Sequence, residues 1–198
     1  MTDRRRDRVY VDANELFPFA VMDVLLALAE DLIIDFIWSE ELLGEWERVI
    51  VREGKRSVES ARSVTEAIRA YFSSGRIDPA AYRDQVQRTV GPDPDDRVHT
   101  AAAIAGRATV ILTKNRRDFP IDHLRDHGVE LTTADAYLRR LLRRRPTDVT
   151  RCIRRLSGEK RNPARTPCEL VDGLRRAGAL GFADRLGARL GCLGATKR

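Results

Sequence analysis

Four short apolar runs rich in β-branched residues, at 9–11, 32–38, 109–113 and 129–132, alternate with longer stretches of helical periodicity. Strands that alternate with helices specify βαβ units, and therefore a parallel sheet covered on both faces. An α/β body is expected. The intervening helices are read at 15–30, with Pro18 in its first turn, and after Ser39, which caps a helix opening on Glu40 and Glu41. Leu42, Leu43, Trp46, Val49 and Ile50 form the apolar stripe of that second helix. A further helix at 57–72 turns Val58, Ala61, Val64, Ile68, Tyr71 and Phe72 inward, and a shorter one starts at Asp78 or Pro79. An alanine-rich helix, capped by Asp93 ahead of Pro94, runs to Ala105 and stops at Gly106. Helices at 122–127 and, capped by Thr133, at 134–145 complete the body. Beyond Pro146 only helical periodicity remains, with a loop at 158–167. The chain therefore divides into a body at 1–145 and a helical appendage at 146–198.

Composition limits the alternatives. At 198 residues, 42% of them hydrophobic, the chain can bury one core of ~100–150 residues with a smaller appendage. No apolar run approaches the ~20 residues of a membrane span. The charged stretch at 4–8 precedes only a short apolar run holding Asp12 and Asn14, unlike a secretory signal. A soluble cytoplasmic protein is expected. Cys152, Cys168 and Cys192 are odd in number and widely spaced, which argues against a disulfide framework and a thiolate zinc site. His123 and His127, beside Asp122 and Asp126, read as a solvated helix face rather than a metal site. From Arg139 onward there are 17 Lys and Arg against 5 Asp and Glu, whereas the preceding residues hold 19 against 25. An acidic body with a basic tail suits a protein that holds a polyanion near an acidic site. A solubilising Arg-rich helix accounts for the tail equally well.

In an open parallel sheet, ligands bind beyond the carboxyl ends of the strands. Asp12 follows the first strand, and Asn115 and Asp118 follow the third. Asp96 and Glu45 sit near the starts of helices, facing the same edge. Converging carboxylates repel unless a cation offsets them, and Mg²⁺ prefers such oxygens. The chain has no Gly-rich phosphate loop and no GxSxG element. Metal-assisted phosphodiester cleavage is the chemistry these residues serve best. Each acid taken singly also has a plain role, as turn, cap or solvated position; their shared edge is what sets them apart.

Four stretches, Val9-Tyr10-Val11-Asp12-Ala13-Asn14, Ser39-Glu40-Glu41-Leu42-Leu43-Gly44-Glu45, Pro92-Asp93-Pro94-Asp95-Asp96-Arg97-Val98 and Val110-Ile111-Leu112-Thr113-Lys114-Asn115-Arg116-Arg117-Asp118-Phe119-Pro120, resemble the PIN-domain family in order and spacing over roughly 8–142. The resemblance implies a PIN-like three-layer αβα sandwich around a mainly parallel sheet, and a Mg²⁺- or Mn²⁺-dependent endoribonuclease. Asp12, Glu45 and Asp96 match the family's first three acids and are the implied metal ligands. The fourth acid is replaced by Asn115, which adds no charge; Asp118 is the candidate to supply it. Thr113 is implied to position a ligand or phosphate, and Asn14, Arg116 and Arg117 to meet substrate. Small bacterial PIN proteins resemble toxins of the VapBC class, which cut structured RNA, often dimerise, and are inhibited by a VapB-like antitoxin laid over the acidic groove. The basic tail lies outside the core PIN pattern.

The mechanism expected on this reading is in-line attack of an activated water on phosphorus, leaving a 5′-phosphate and a 3′-hydroxyl, with Asn115 and Asp118 orienting the water or a second ion. Rival readings are a non-catalytic RNA-binding module, favoured by Asn115, a DNA-directed structure-specific nuclease, and a purely structural partner protein.

Overall fold

The computed structural model describes residues 5–16, 18–89, 91, 96–161 and 163–192. In chain order the elements are β1 (Arg8–Val11), α1 (Ala13–Leu16), α2 (Phe19–Glu30), β2 (Asp35–Ile37), α3 (Glu40–Arg52), α4 (Val58–Tyr71), α5 (Arg97–Ala105), β3 (Val110–Leu112), α6 (Ile121–Asp126), β4 (Glu130–Thr132), α7 (Ala134–Arg144), α8 (Pro146–Glu159), α9 (Pro167–Arg176) and α10 (Leu180–Leu190). Short 3₁₀ turns at Ser73–Gly75, Pro79–Ala81 and Arg83–Arg88 join α4 to the approach of α5. Two compact units result: Met1–Phe17 with Ile34–Thr132, and Pro18–Ile33 with Thr133–Arg198. Among the described residues no helix is long and apolar enough to cross a membrane.

The first unit carries a sheet of four parallel strands in the order β2-β1-β3-β4. Its central strands are mostly apolar and buried, as a parallel sheet with both faces covered requires: Val9, Tyr10, Val11, Ile111 and Leu112 are fully buried. The α/β class expected from the alternation is the class observed. Val11 pairs with Leu112, and the Asp12 amide continues the ladder to the Leu112 carbonyl at 2.8 Å. Thr113 likewise donates its amide to the Thr132 carbonyl at 2.9 Å. This register brings the ends of β1 and β3 side by side. Ser39 caps α3, accepting from the Leu42 amide, and Leu42, Leu43, Trp46 and Ile50 are buried, with Val49 half-buried.

Several local expectations need correction. The helix read at 15–30 is two helices, with Pro18 as the N-cap of α2. Proline lacks an amide and disfavours helical backbone before it, so the chain is interrupted there. On α4 the buried residues are Ala61, Thr65 and Ile68, while Val58 is 50% and Tyr71 80% exposed. Thr65 turns inward because its hydroxyl reaches Glu47 at 3.1 Å and the Arg62 carbonyl at 2.9 Å, so a polar residue fills a place that apolar periodicity assigned elsewhere. Gly106 ends α5 with ordinary negative φ, and Arg107 takes the left-handed position instead, at φ 52°. The second strand is shorter than read, spanning Asp35–Ile37. The Asp93 cap and the Pro94 start lie outside the described residues.

Gly75 lies against the backbone of β2. Its carbonyl accepts from the Trp38 amide at 3.0 Å, and Ile77 donates to the Trp38 carbonyl at 2.9 Å. A Cβ on Gly75 would run into the Phe36 carbonyl oxygen, which belongs to β2 and cannot swing aside. Gly75→Ala is expected to destabilise the protein by ~1–3 kcal/mol through overpacking, measured by chemical denaturation. An unchanged midpoint would mean that this segment does not hold its place against β2.

In the second unit α2 packs against α8 and α9, and α10 against α9 and α7. Arg155 on α8 closes the C-terminal end of α2: it donates to the Ala27 carbonyl at 3.1 Å and pairs with Glu30 at 3.1 Å and Asp31 at 2.9 Å. A cation there offsets the unpaired carbonyls and negative dipole of the helix end. Lys160 reaches Asp23 at 2.7 Å, and Asp135 accepts from the Phe182 amide at 2.7 Å near the start of α10. Thr166 and Glu169 form a reciprocal capping box on α9. The expectation against disulfides is overturned: Cys168 at the start of α9 is bonded to Cys192 just after α10. These residues are 24 apart in sequence but only 5.4 Å apart at Cα. Two packed helices of similar length bring the far ends of the hairpin together, which the linear spacing did not reveal. Cys152 is free and buried, and burial pushes its thiol up to about 12.

Candidate active site

The site grows from the neighbouring ends of β1 and β3. Asp12 leaves β1 with its side chain almost wholly buried. The Thr113 hydroxyl, directly across from it, donates to Asp12 Oδ2 at 2.6 Å, and accepts the Asn115 amide at 2.9 Å. The threonine thus has both hydroxyl roles filled and holds one carboxylate oxygen in a fixed place. The Asn14 amide approaches Asp12 Oδ1 at 3.5 Å. Burial raises the Asp12 pKa above the ordinary aspartate value; the Thr113 hydrogen bond opposes the rise and the nearby Glu45 charge adds to it.

Glu45 lies in the second turn of α3. His99, on α5, approaches Glu45 Oε2 through Nε2 at 2.9 Å. That hydrogen bond is the main reason the Glu45 pKa lies below its usual range, with burial opposing. His99 is itself buried. Burial pulls its pKa down, but the Glu45 hydrogen bond and the charges of Glu45, Asp12 and Asp96 outweigh it and leave the ring raised. Asp96, half-buried, stands immediately before α5 and makes no side-chain cap bond. Asp12, Glu45 and Asp96 therefore all lie within electrostatic reach of one imidazole, although 12, 45 and 96 are far apart in the chain.

Asn115 and Asp118 fold onto each other, the Asn115 amide group donating to Asp118 Oδ2. Asn14, Arg116 and Arg117 are exposed. Two further residues were not anticipated. Glu15 is buried on α1, with Lys114 Nζ 3.9 Å away. His99, buried on α5, is the other; its partner Glu45 lies 54 positions away in the chain. His123 on α6 and His127 just after it stack edge to face with centroids 4.6 Å apart.

A hard divalent ion suits this donor set in kind. It consists of carboxylate oxygens, one of them buried beside a second negative charge that disfavours its ionised form, and added positive charge would relieve that. Among the described residues, no three His, Cys, Asp or Glu side chains stand close enough to grip an ion as a ready-made group. The fit is therefore one of charge and donor type.

The PIN domain family model matches residues 8–117, more than half of the chain and the whole stretch from β1 to Asn115 and Arg117. The chain belongs to the PIN-domain family. A second model, the VapC50 C-terminal domain, matches residues 134–188, so the PIN domain is followed by a region of VapC type, from α7 to α10. The pair of matches puts this PIN protein among VapC-like nuclease toxins. Comparison with curated proteins and with solved structures finds no match.

Proposed function

We propose that this PIN-domain protein is a metal-dependent endoribonuclease, acting as a toxin restrained by a VapB-like antitoxin. The observation that carries the reading is the buried Asp12 carboxylate, fixed by Thr113 at the strand ends, with the Glu45 carboxylate held by His99 at 2.9 Å. Asp12, Asp96 and Glu45 would hold Mg²⁺ or Mn²⁺. When bound, such an ion supplies Lewis acidity to the attacking water and the scissile phosphate. Thr113 keeps Asp12 aligned through the approach of substrate. The Asp118 carboxylate, tied to Asn115, restores at that corner the charge that Asn115 lacks, and the pair orients the water. Exposed Asn14, Arg116 and Arg117 meet the RNA backbone, with products bearing a 5′-phosphate and a 3′-hydroxyl. In functional terms, residues 1–145 carry the cleavage chemistry and the basic residues of 146–198 hold the polyanion or dock the antitoxin. Pairing of two PIN domains into a homodimer accompanies this role. An RNA substrate implies action in the cytoplasm.

The test is cleavage of structured RNA with Mg²⁺ or Mn²⁺, abolished by a chelator, with single- and double-stranded DNA as competitors. RNA loss dependent on the ion, with DNA left whole, is the expected result; equal cutting of DNA overturns the RNA assignment. A second reading, an RNA-binding module without catalysis, is favoured by the lack of a ready-made ion group among the described residues. Metal-independent RNA retention with no cleavage would establish it.

A further inference from the structure

His99 is more than a filled place in the core. The Glu45 carboxylate only accepts, so the Nε2 hydrogen of His99 is committed to Oε2 at 2.9 Å. On the other side of the ring, Nδ1 lies 2.9 Å from the Tyr10 hydroxyl. That hydroxyl in turn lies 3.1 Å from Ser39 Oγ, and Ser39 Oγ accepts the Leu42 amide at 3.2 Å. With a neutral ring the hydrogens run in one direction: Leu42 amide to Ser39, Ser39 to Tyr10, Tyr10 to Nδ1, and Nε2 to Glu45. Tyr10, Ser39 and His99 are all buried, so each link is held by packing as well as by its partner. The chain of bonds joins β1, the cap of α3, and α5, and it terminates on an acid of the candidate site.

We propose that His99 is a positioning residue: held by Tyr10 and Ser39, it fixes one oxygen of Glu45 and leaves the other, Oε1, presented to the divalent ion. The inference rests on the metal-dependent reading given above. A ligand whose partner orients it binds more tightly than a free one, and loss of such a partner commonly weakens metal affinity ~10–100-fold. An imidazole placed only to fill space would have no such effect.

Two polar replacements of similar size separate these roles. In His99→Gln the side-chain amide extends to about the place of Nε2 and can still donate to Glu45. In His99→Asn the amide stops near Nδ1 and keeps only the Tyr10 side. Mn²⁺ binding to the full chain is measured by calorimetric titration, together with thermal unfolding and the separate kcat and KM for RNA. His99→Asn is expected to weaken Mn²⁺ binding ~10–100-fold, and His99→Gln to stay near wild type. In a Glu45→Gln background, His99→Asn is expected to have no further effect on Mn²⁺ affinity, because the two residues act as one unit. Equal losses in both His99 variants, or an undiminished loss in the Glu45→Gln background, would overturn the proposal and leave His99 a structural residue. Wild-type protein that neither binds Mn²⁺ nor cuts RNA would instead bring down the underlying reading.

Discussion

Asp12→Asn is expected to reduce RNA cleavage to background while raising the unfolding temperature of the metal-free protein. The two effects share one cause. Asp12 is buried, Glu45 adds negative charge nearby, and its folded pKa is consequently raised above the ordinary value of 3.8. An acid whose folded pKa is raised contributes stability below its unfolded pKa and loses it as pH rises through the folded one. At neutral pH the ionised Asp12 therefore works against the fold. Asparagine keeps the shape, and its carbonyl oxygen can still accept from Thr113. Removal of the charge should thus raise thermal stability at neutral pH, with the gain shrinking as pH falls through the raised folded pKa and gone below 3.8. The measurements are an RNA cleavage assay with Mg²⁺ and melting curves across pH in the presence of a chelator. Wild-type cleavage by the variant would remove Asp12 from the chemistry. A lower melting temperature at neutral pH would show that its carboxylate is structural.

Reduction of the Cys168–Cys192 bond is expected to lower the stability of the second unit by roughly 3 kcal/mol, the loop-entropy effect for a closure of this length. The bond ties the start of α9 to the residue that follows α10, and its loss lets that hairpin sample open forms. Unfolding monitored by circular dichroism, with and without reductant, gives the magnitude. Cys168→Ser should reproduce the reduced value without reductant. Unfolded, non-reduced protein should titrate as one thiol, that of Cys152; three thiols would show that the pair does not form. Cytosolic thiols are normally kept reduced, so a toxin acting on cytoplasmic RNA would work with the weaker version of this unit.

What could be read in advance was local. Ser39 and Thr133 each cap the helix they were assigned, because a cap depends on a few adjacent residues. The strands were recognisable because burial on both faces demands continuous β-branched runs. Asp12 and Thr113 could be referred to one sheet edge from strand order alone, but their 2.6 Å contact depends on the β1–β3 register. His99 and Glu15 escaped because nothing in their neighbourhood distinguishes a buried charged residue from a surface one; partners 54 and 99 positions away decide it. The Cys168–Cys192 pair escaped for the same reason. On α4, periodicity placed Tyr71 inward, whereas Thr65 fills the inner face.

The segment Pro18–Ile33 stands between β1 and β2 in the chain, yet its helix α2 packs in the second unit, on α8 and α9. The polypeptide passes from one unit to the other and back before the nuclease sheet is half built. The C-terminal helices are accordingly no detachable handle. Deleting them would strip α2 of the helices α8 and α9 that pack on it, in the middle of the chain. Catalytic body and basic tail must therefore be inherited, expressed and engineered as one piece.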